Sequence, residues 1–472
     1  MKNTGRSQYE LMTQTGTSRL VLKLGLPTTV SMLVTTVYNM ADTYFVSSLG
    51  TSQSGAIGIV FGLMAIIQAV GFTYGHGAGS NIGRLLGANR TEEAGNYASS
   101  SVFFGLITGL IISAVGLSLH TPLMNLLGST QTILPYAIEY SFYILLAAPV
   151  MVLCCILNNI LRYEGKATFA MFGLVSGGLL NILGDFLLIK VFDMGVPGAG
   201  ISTAVSQCIS AVILIIPFLT GKTQSKLSIK NVFRKNDKES STTARRFSAP
   251  DALILGSILA IGLPSLMRQG LGSISTMILN SSANPFGDAA IAGMSIASKV
   301  VNFIFCVGLG IGQGFQPVAG FNFGARKYGR VKSAYRFTMI LGMILLGTIG
   351  FFGCLYAEPI ISLFRDDPDV VAVGVPALRY QAAVIFIMPI QVTTNMLFQS
   401  TGKSVRATLL SATRSGLFFI PTILILSRIM GLAGIECSQA IADVLASLMA
   451  VPFAVHFLKS LPADIGDGGC GS

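Results

Sequence analysis

Short polar segments divide the chain into twelve apolar stretches, each 21 residues or longer: 20–46, 54–83, 97–119, 133–160, 168–192, 197–219, 252–280, 289–318, 334–356, 371–398, 407–427 and 431–458. A helix of about 20 apolar residues spans a bilayer core of roughly 30 Å and satisfies its own backbone hydrogen bonds there. Composition closes off the alternatives. Of 472 residues, 52% are hydrophobic and 11% charged, against about 25% charged in soluble proteins, and mean hydropathy is +0.69. That charge cannot solvate the surface of a soluble chain this long. An all-α integral membrane protein is expected, and a soluble enzyme or a disordered chain is excluded.

The net charge of +11 would raise nucleic acid as a partner of a soluble protein. Here the basic residues follow the membrane instead. With the N-terminus inside, segments on the cytoplasmic side carry 24 Lys and Arg. Loops on the other side carry three, Lys190, Arg365 and Arg428. Basic residues collect on the cytoplasmic side, so the ratio fits twelve spans with both termini cytoplasmic. The first 19 residues are polar and include Glu10, so no cleavable signal peptide is expected. Six of the seven cysteines sit in apolar runs without a CxxC pair, as small buried hydrophobes do.

The two halves repeat. At an offset of 237, Gly25-Leu26-Pro27 falls on Gly262-Leu263-Pro264, and Gly71, Gly75, Gly83 and Gly87 fall on Gly308, Gly312, Gly320 and Gly324. Asn158, Gly165 and Lys166 fall on Asn395, Gly402 and Lys403. Six spans separate equivalent residues, so both halves run in the same direction, related by an axis along the membrane normal. The expected organisation is an N-terminal tail (1–19), a first lobe (20–219), a cytoplasmic linker (220–250), a second lobe (251–458) and a C-terminal tail (459–472). Two such lobes around a cavity suit alternating access.

Three carboxylates lie well inside apolar runs: Asp42, Asp185 and Asp443. A charge at a helix centre costs roughly 2.5–3.5 kcal/mol on insertion scales, so each needs a function or a partner. Asn181 stands at i−4 from Asp185 and shares its helical face. Tyr143, Asn158 and Thr203 on neighbouring spans offer further oxygens, and Asp42 a second carboxylate. Such a set suits a hard cation or a proton. The offset places Leu279, Phe418 and Thr422 opposite Asp42, Asn181 and Asp185, so the repeat is broken here. Asp443 has Arg414 or Arg379 as candidate partners.

Glycines 71, 75, 79, 83 and 87 form a stripe at i, i+4 spacing, which favours close helix packing in lipid. Pro27 and Pro264 lie inside spans 1 and 7, where each favours a kink. Gly221-Lys222-Thr223 and Gly402-Lys403-Ser404 mimic the end of a phosphate-binding loop, but Ile216 and Leu397 replace its first glycine. With no nucleotide site and three isolated histidines (76, 120 and 456), neither an ATP-driven pump nor a zinc hydrolase is expected. No cofactor is expected either.

Gly25-Leu-Pro27, Tyr38-Asn-Met-Ala-Asp42-Thr-Tyr-Phe-Val46, Gln313-Gly-Phe-Gln-Pro317 and Gly320-Phe-Asn-Phe-Gly-Ala325 together resemble the multidrug and toxic compound extrusion (MATE) transporters, especially their MepA-type bacterial branch. The resemblance runs over essentially the whole chain and implies the two-lobed MATE/MOP-type fold. Relatives of the DNA-damage-inducible-F branch bind a proton or sodium ion in the amino lobe. That pattern carries over to Asp42, Tyr143, Asn158, Asn181, Asp185 and Thr203, with Na⁺ ligation at Asp42, Asn181 and Asp185. Another branch uses acids on spans 7 and 10, where this chain has Arg268, Gln269, Arg379 and Gln381 and no carboxylate.

The expected activity is export of amphipathic, cationic organic compounds by antiport with H⁺ or Na⁺, in a multi-pass monomer of the cytoplasmic (inner) membrane that touches lipid and no nucleic acid. Met32, Tyr38 and Met64 are candidates for the substrate cavity. The alternative is a flippase for a lipid-linked saccharide or peptidoglycan precursor, with Arg268, Lys299, Arg379 and Arg414 gripping a pyrophosphate. A passive channel is a third class, and it has no use for a one-sided carboxylate pair.

Overall fold

The computed structural model describes residues 8–47, 49–232 and 252–462. Residues 1–7, 233–251 and 463–472, with most of the expected linker and Cys470, lie outside the described residues. Within them the secondary structure is helical. Twelve helices are long and apolar enough to cross a membrane, as the hydropathy pattern requires. They are α1 (Thr17–Val46), α2 (Ser52–Gly87), α3 (Thr91–Ser118), α4 (Leu134–Tyr163), α5 (Ala167–Val191) and α6 (Gly195–Leu219). The second set is α7 (Ala252–Phe286), α8 (Asp288–Gly324), α9 (Tyr328–Leu355), α10 (Pro368–Ser400), α11 (Ser404–Met430) and α12 (Leu432–Ser460). The repeat extends to detail: short helices His120–Leu126 and Ala357–Phe364 precede α4 and α10 at the same offset.

The helices gather into two compact units, Val34–Leu266 on the one hand and Met1–Leu33 with Met267–Ser472 on the other. The expected lobes keep α1 and α7 whole; the units divide inside both. The reason is a glycine crossing made once in each unit. Gly314 of α8 lies so close to α1 that a Cβ there would fall on the Gly25 backbone. Gly77 of α2 meets α7 in the same way, at the backbone of Ile258 and Gly262. Gly77 and Gly314 are equivalent in the repeat, as are Gly25 and Gly262. Only residues without a Cβ allow backbones this near, and close approach is how helices cohere in lipid. Pro27 and Pro264 lie within these two helices.

In the unit Val34–Leu266, α4 is the central helix, packed against α2, α3, α5 and α6. The glycine stripe serves this packing: Gly71, Gly75 and Gly79 abut Cys155, Asn159 and Tyr163 of α4. Cys154, Leu157 and Leu161 of α4 form an apolar core with Ala170, Ala211 and Leu214 of α5 and α6. In the other unit, α8 packs on α9 and α10, and α12 on α10 and α11. Among the described residues the six cysteines are unpaired thiols, of which Cys154 is buried and Cys208 exposed.

Candidate functional site

The unit Val34–Leu266 holds a buried polar cluster made by four helices. Asp42 comes from the second part of α1, Tyr140 from α4, Asn181 and Asp185 from α5, and Ser202 and Thr203 from α6; all six are buried. The Tyr140 hydroxyl donates to Asp42 Oδ2 at 3.2 Å. Asn181 Nδ2 donates to Thr203 Oγ1 (3.1 Å) and more weakly to Ser202 Oγ (3.4 Å). The Ser202 hydroxyl donates to the Asn181 carbonyl at 2.9 Å, which fixes α5 against α6. A Cβ on Gly184 would meet Ser202 Oγ at 2.5 Å, so α5 and α6 touch beside Asp185. Immediately after Asp185, α5 widens into π-type turns over Phe186–Val191, a distortion that recurs at functional sites.

Satisfaction is incomplete. Asp42 Oδ1, Asn181 Oδ1 and both carboxylate oxygens of Asp185 are buried without a hydrogen-bond donor among the described residues. The Asp42 and Asp185 carboxyl groups are neighbours in this cluster. Buried unpaired acceptors cost about 1–3 kcal/mol each, and more when charged. Four such oxygens in one buried cluster therefore favour positive charge there, and a proton on a carboxylate or a small hard cation both answer the need. Among the described residues there is no group of three or more His, Cys, Asp or Glu suited to a transition metal.

The structure thus brings together Asp42, Asn181, Asp185 and Thr203, and it separates two residues expected with them. Tyr143 is only half-buried and lies against Gly200 of α6; Tyr140, three residues earlier, supplies the phenol. Asn158 stands 18 residues beyond Tyr140 on α4, about 27 Å along the axis at 1.5 Å per residue. Its Nδ2 donates to the Ala170 carbonyl at 3.0 Å. The equivalent Asn395 donates to the Ala407 carbonyl at 2.6 Å, and the pair recurs at the offset of 237. A bond made in both halves is a fastening of the fold, so Asn158 is not part of the cluster.

Of the expected cavity residues, Tyr38 is half-buried with its ring against Gly178 of α5. Met64 is buried within the same unit, and Met32 belongs to the other unit. Of the four basic residues of the flippase alternative, Arg268 and Arg414 come together and Lys299 and Arg379 do not join them. Arg414 Nε bonds Asp443 Oδ1 at 2.8 Å, with Gln439 on the same oxygen and the Phe305 ring 4.6 Å away. Asp443 is thereby neutralised by Arg414, as one of its two candidate partners. Arg268 shares a cavity of about 30 Å³ with Arg414, while Lys299 and Arg379 are exposed.

His76, isolated in the sequence, lies in a second buried network of the same unit. It bonds Ser265 Oγ through Nδ1 (2.9 Å) and faces Arg162 Nη2 at 3.3 Å. This network fastens the first part of α7 to α2 and α4.

A MatE family model matches the chain twice, over residues 27–187 and 264–425. These blocks begin 237 residues apart, the spacing of the repeat, and together cover more than half of the sequence. The chain belongs to the MatE family. Among MatE relatives, the multidrug export protein MepA of Staphylococcus aureus (strain MSSA476) is 27% identical over 449 residues, spanning 93% of this chain and 94% of its own. The outward-facing structure of a multidrug resistance MATE family transporter of the MOP superfamily matches with a TM-score of 0.88 at 25% identity. It spans 97% of this chain and 99% of that one. A MOP superfamily transporter from Pyrococcus furiosus Vc1 (DSM3638), whose binding pocket is described as of reverse polarity, matches equally well, at 26% identity and a TM-score of 0.88 with the same coverage. The MatE fold, with twelve helices in two halves, is that of this chain.

Proposed function

We propose that the protein is a secondary active multidrug exporter of the cytoplasmic membrane, with both termini inside. It moves amphipathic organic cations outward in exchange for H⁺ or Na⁺. The observation that carries this reading is the set of four buried, donorless oxygens on Asp42, Asn181 and Asp185, in a cluster the second half of the repeat lacks. MepA's role as a multidrug export protein and the 24-to-3 basic bias support substrate class and orientation.

The cycle rests on differential affinity, since a ligand shifts a conformational equilibrium only by binding its states unequally. Facing outward, the Asp42–Asp185 pair takes up a proton or Na⁺; its negative charge is cancelled and an organic cation loses its electrostatic partner. Facing inward, the coupling ion leaves and the restored charge favours the next substrate. Asn181 and Thr203 hold the acceptor geometry, and Tyr140 holds Asp42. The membrane potential adds roughly 2.3 kcal/mol per net inward charge per 100 mV, so it contributes when more coupling cations enter than substrate charges leave. Pro27, inside α1 with the Asp42 site further along that helix, is placed to let the two parts of α1 change angle.

The test is efflux of a fluorescent organic cation from cells expressing the protein, with the proton and sodium gradients collapsed separately. Export is expected to stop with one of the two, and Asp42→Asn and Asp185→Asn are each expected to abolish it at unchanged membrane abundance. Full export by both variants sinks the coupling scheme. Failure of any cation to move under either gradient turns attention to lipid-linked precursors.

A further inference from the structure

A groove of about 580 Å³ opens between α9 and α12 over α10. Its two ends differ in chemistry. At one end stand Lys332 and Arg336, one turn apart on α9, and Lys459 in the last turn of α12. From there the groove runs into apolar surface. Met339 and Met343 continue the α9 face at i+3 and i+7 from Arg336, Val455 and Val451 continue the α12 face, and Ile390 of α10 lies between. Eight residues from Lys459 to Val451 give a length of about 12 Å. Among the described residues no carboxylate lines it. Lys332 donates to the Leu461 carbonyl at 3.2 Å, and Arg336 and Lys459 take part in no ion pair among the described residues.

The repeat supplies a comparison inside the molecule. Lys332 and Arg336 correspond to Gly95 and Ser99. There the chain after α6 lies across α3: a Cβ on Gly95 would meet the Lys226 carbonyl at 3.2 Å, and the Ser228 amide donates to Ser99 Oγ at 3.0 Å. One half fills this place with its own backbone and uses small residues to do so. In the other half, among the described residues, three basic side chains line this place and apolar surface continues behind them.

We infer that this groove is a binding site for an anionic phospholipid, with the phosphate held by Lys332, Arg336 and Lys459 and an acyl chain along Met339, Met343 and Val455. Basic pockets between helices at the cytoplasmic side are suited to acidic headgroups, and the bundle end carrying these residues is the one with the basic excess. An organic cation, the class proposed for export, is repelled by the same three charges, so the site is separate from the transport path. A free phosphate ion satisfies the charges and leaves the apolar channel without a role.

Native mass spectrometry of the purified full chain, released from detergent with phosphatidylglycerol or phosphatidylcholine, reads the site directly and independently of export. Each basic side chain beside an anionic headgroup is worth roughly a fivefold change. Phosphatidylglycerol is therefore expected to be retained about a hundredfold better than phosphatidylcholine. K332A/R336A/K459A should lose that preference together with one tightly held lipid, and K332R/R336K/K459R should keep both, which separates charge loss from misfolding. Equal retention of the two lipids, or an undiminished lipid count in the alanine variant, overturns the proposal. So does displacement of the lipid by inorganic phosphate alone. So too does a chain ending at Pro462 that binds phosphatidylglycerol about tenfold better than the full chain, which assigns the groove to residues 463–472.

Discussion

Tyr140 Oη donates a hydrogen bond to Asp42 Oδ2 across 3.2 Å, and it is the only protein donor to that carboxylate among the described residues. A hydrogen bond to a charged group is worth about 1.5–3 kcal/mol. Tyr140→Phe leaves both Asp42 oxygens donorless in a buried site. Gradient-driven efflux of a fluorescent cation is expected to fall about tenfold or more in Tyr140→Phe and to stay within about twofold in Tyr143→Phe. The reverse ranking refutes the placement of Tyr140 in the site.

Asn158 and Asn181 are both buried amides in the same unit, yet they call for opposite outcomes. Asn158→Ala removes the donor to the Ala170 carbonyl, a loss of about 1–3 kcal/mol of stability. Asn395→Ala, its equivalent on α10, should match it. Both are expected to lower the thermal midpoint of the purified protein while efflux per folded molecule keeps its gradient dependence. Asn181→Ala removes an oxygen from the cluster and is expected to weaken that dependence with a smaller change in midpoint. Loss of coupling in Asn158→Ala with stability unchanged refutes the assignment.

The membrane fold was legible because lipid leaves a chain few options: each apolar run had to be a helix, and the repeat could be counted. Asp42, Asn181 and Asp185 stood out because charge inside an apolar run is costly. Tyr140 was readable in principle, since Tyr140, Ile144, Ala148 and Met151 form one buried stripe on α4; Tyr143 lies off it. Asn158 shows the limit of that signal. Eighteen residues make five whole turns, so Asn158 shares the face of Tyr140 but not its depth. The division of α1 and α7 between units was not legible, because an apolar face does not name the helix that will cover it.

The Gly25–Gly314 and Gly77–Gly262 crossings lie shortly before the two divisions, which fall after Leu33 and Leu266. At Gly314 and Gly77 an added methyl would land on backbone atoms of the crossing helix, which cannot rotate away as a side chain can. Gly314→Ala and Gly77→Ala are each expected to cost about 1–3 kcal/mol, as overpacking does. Gly62→Ala on α2, with open space around its Cβ, is expected to be neutral or to stabilise by up to about 1 kcal/mol. Recovery of monodisperse protein after graded heating ranks the three. Equal recovery of all three removes the crossings as sites of tight packing.

Glu164, just after α4, holds the chain beyond α6 in place. Its carboxylate is wholly buried and accepts from the amides of Ser225 (2.9 Å) and Gln224 (3.0 Å) and from the Ser225 hydroxyl. Lys166 stands 3.8 Å away. Burial pushes the Glu164 carboxyl above its ordinary range, and the Ser225 and Gln224 donors and Lys166 only partly oppose it. Burial also lowers the Lys166 ammonium, so the ion pair does not offset desolvation of either partner. A folded-state value above the unfolded one means that the contribution to stability is complete below about pH 4.3, the ordinary glutamate value. It is lost as pH rises through the raised value. Docking of residues 224–228 is therefore expected to tighten as pH falls from neutral toward about 4.3. Hydrogen exchange at the Gln224 and Ser225 amides, corrected for intrinsic rates, measures it: protection should rise on acidification in the natural chain and lose most of its pH dependence in Glu164→Gln. Protection that falls on acidification would show that the amide-to-carboxylate bonds outweigh the burial of charge.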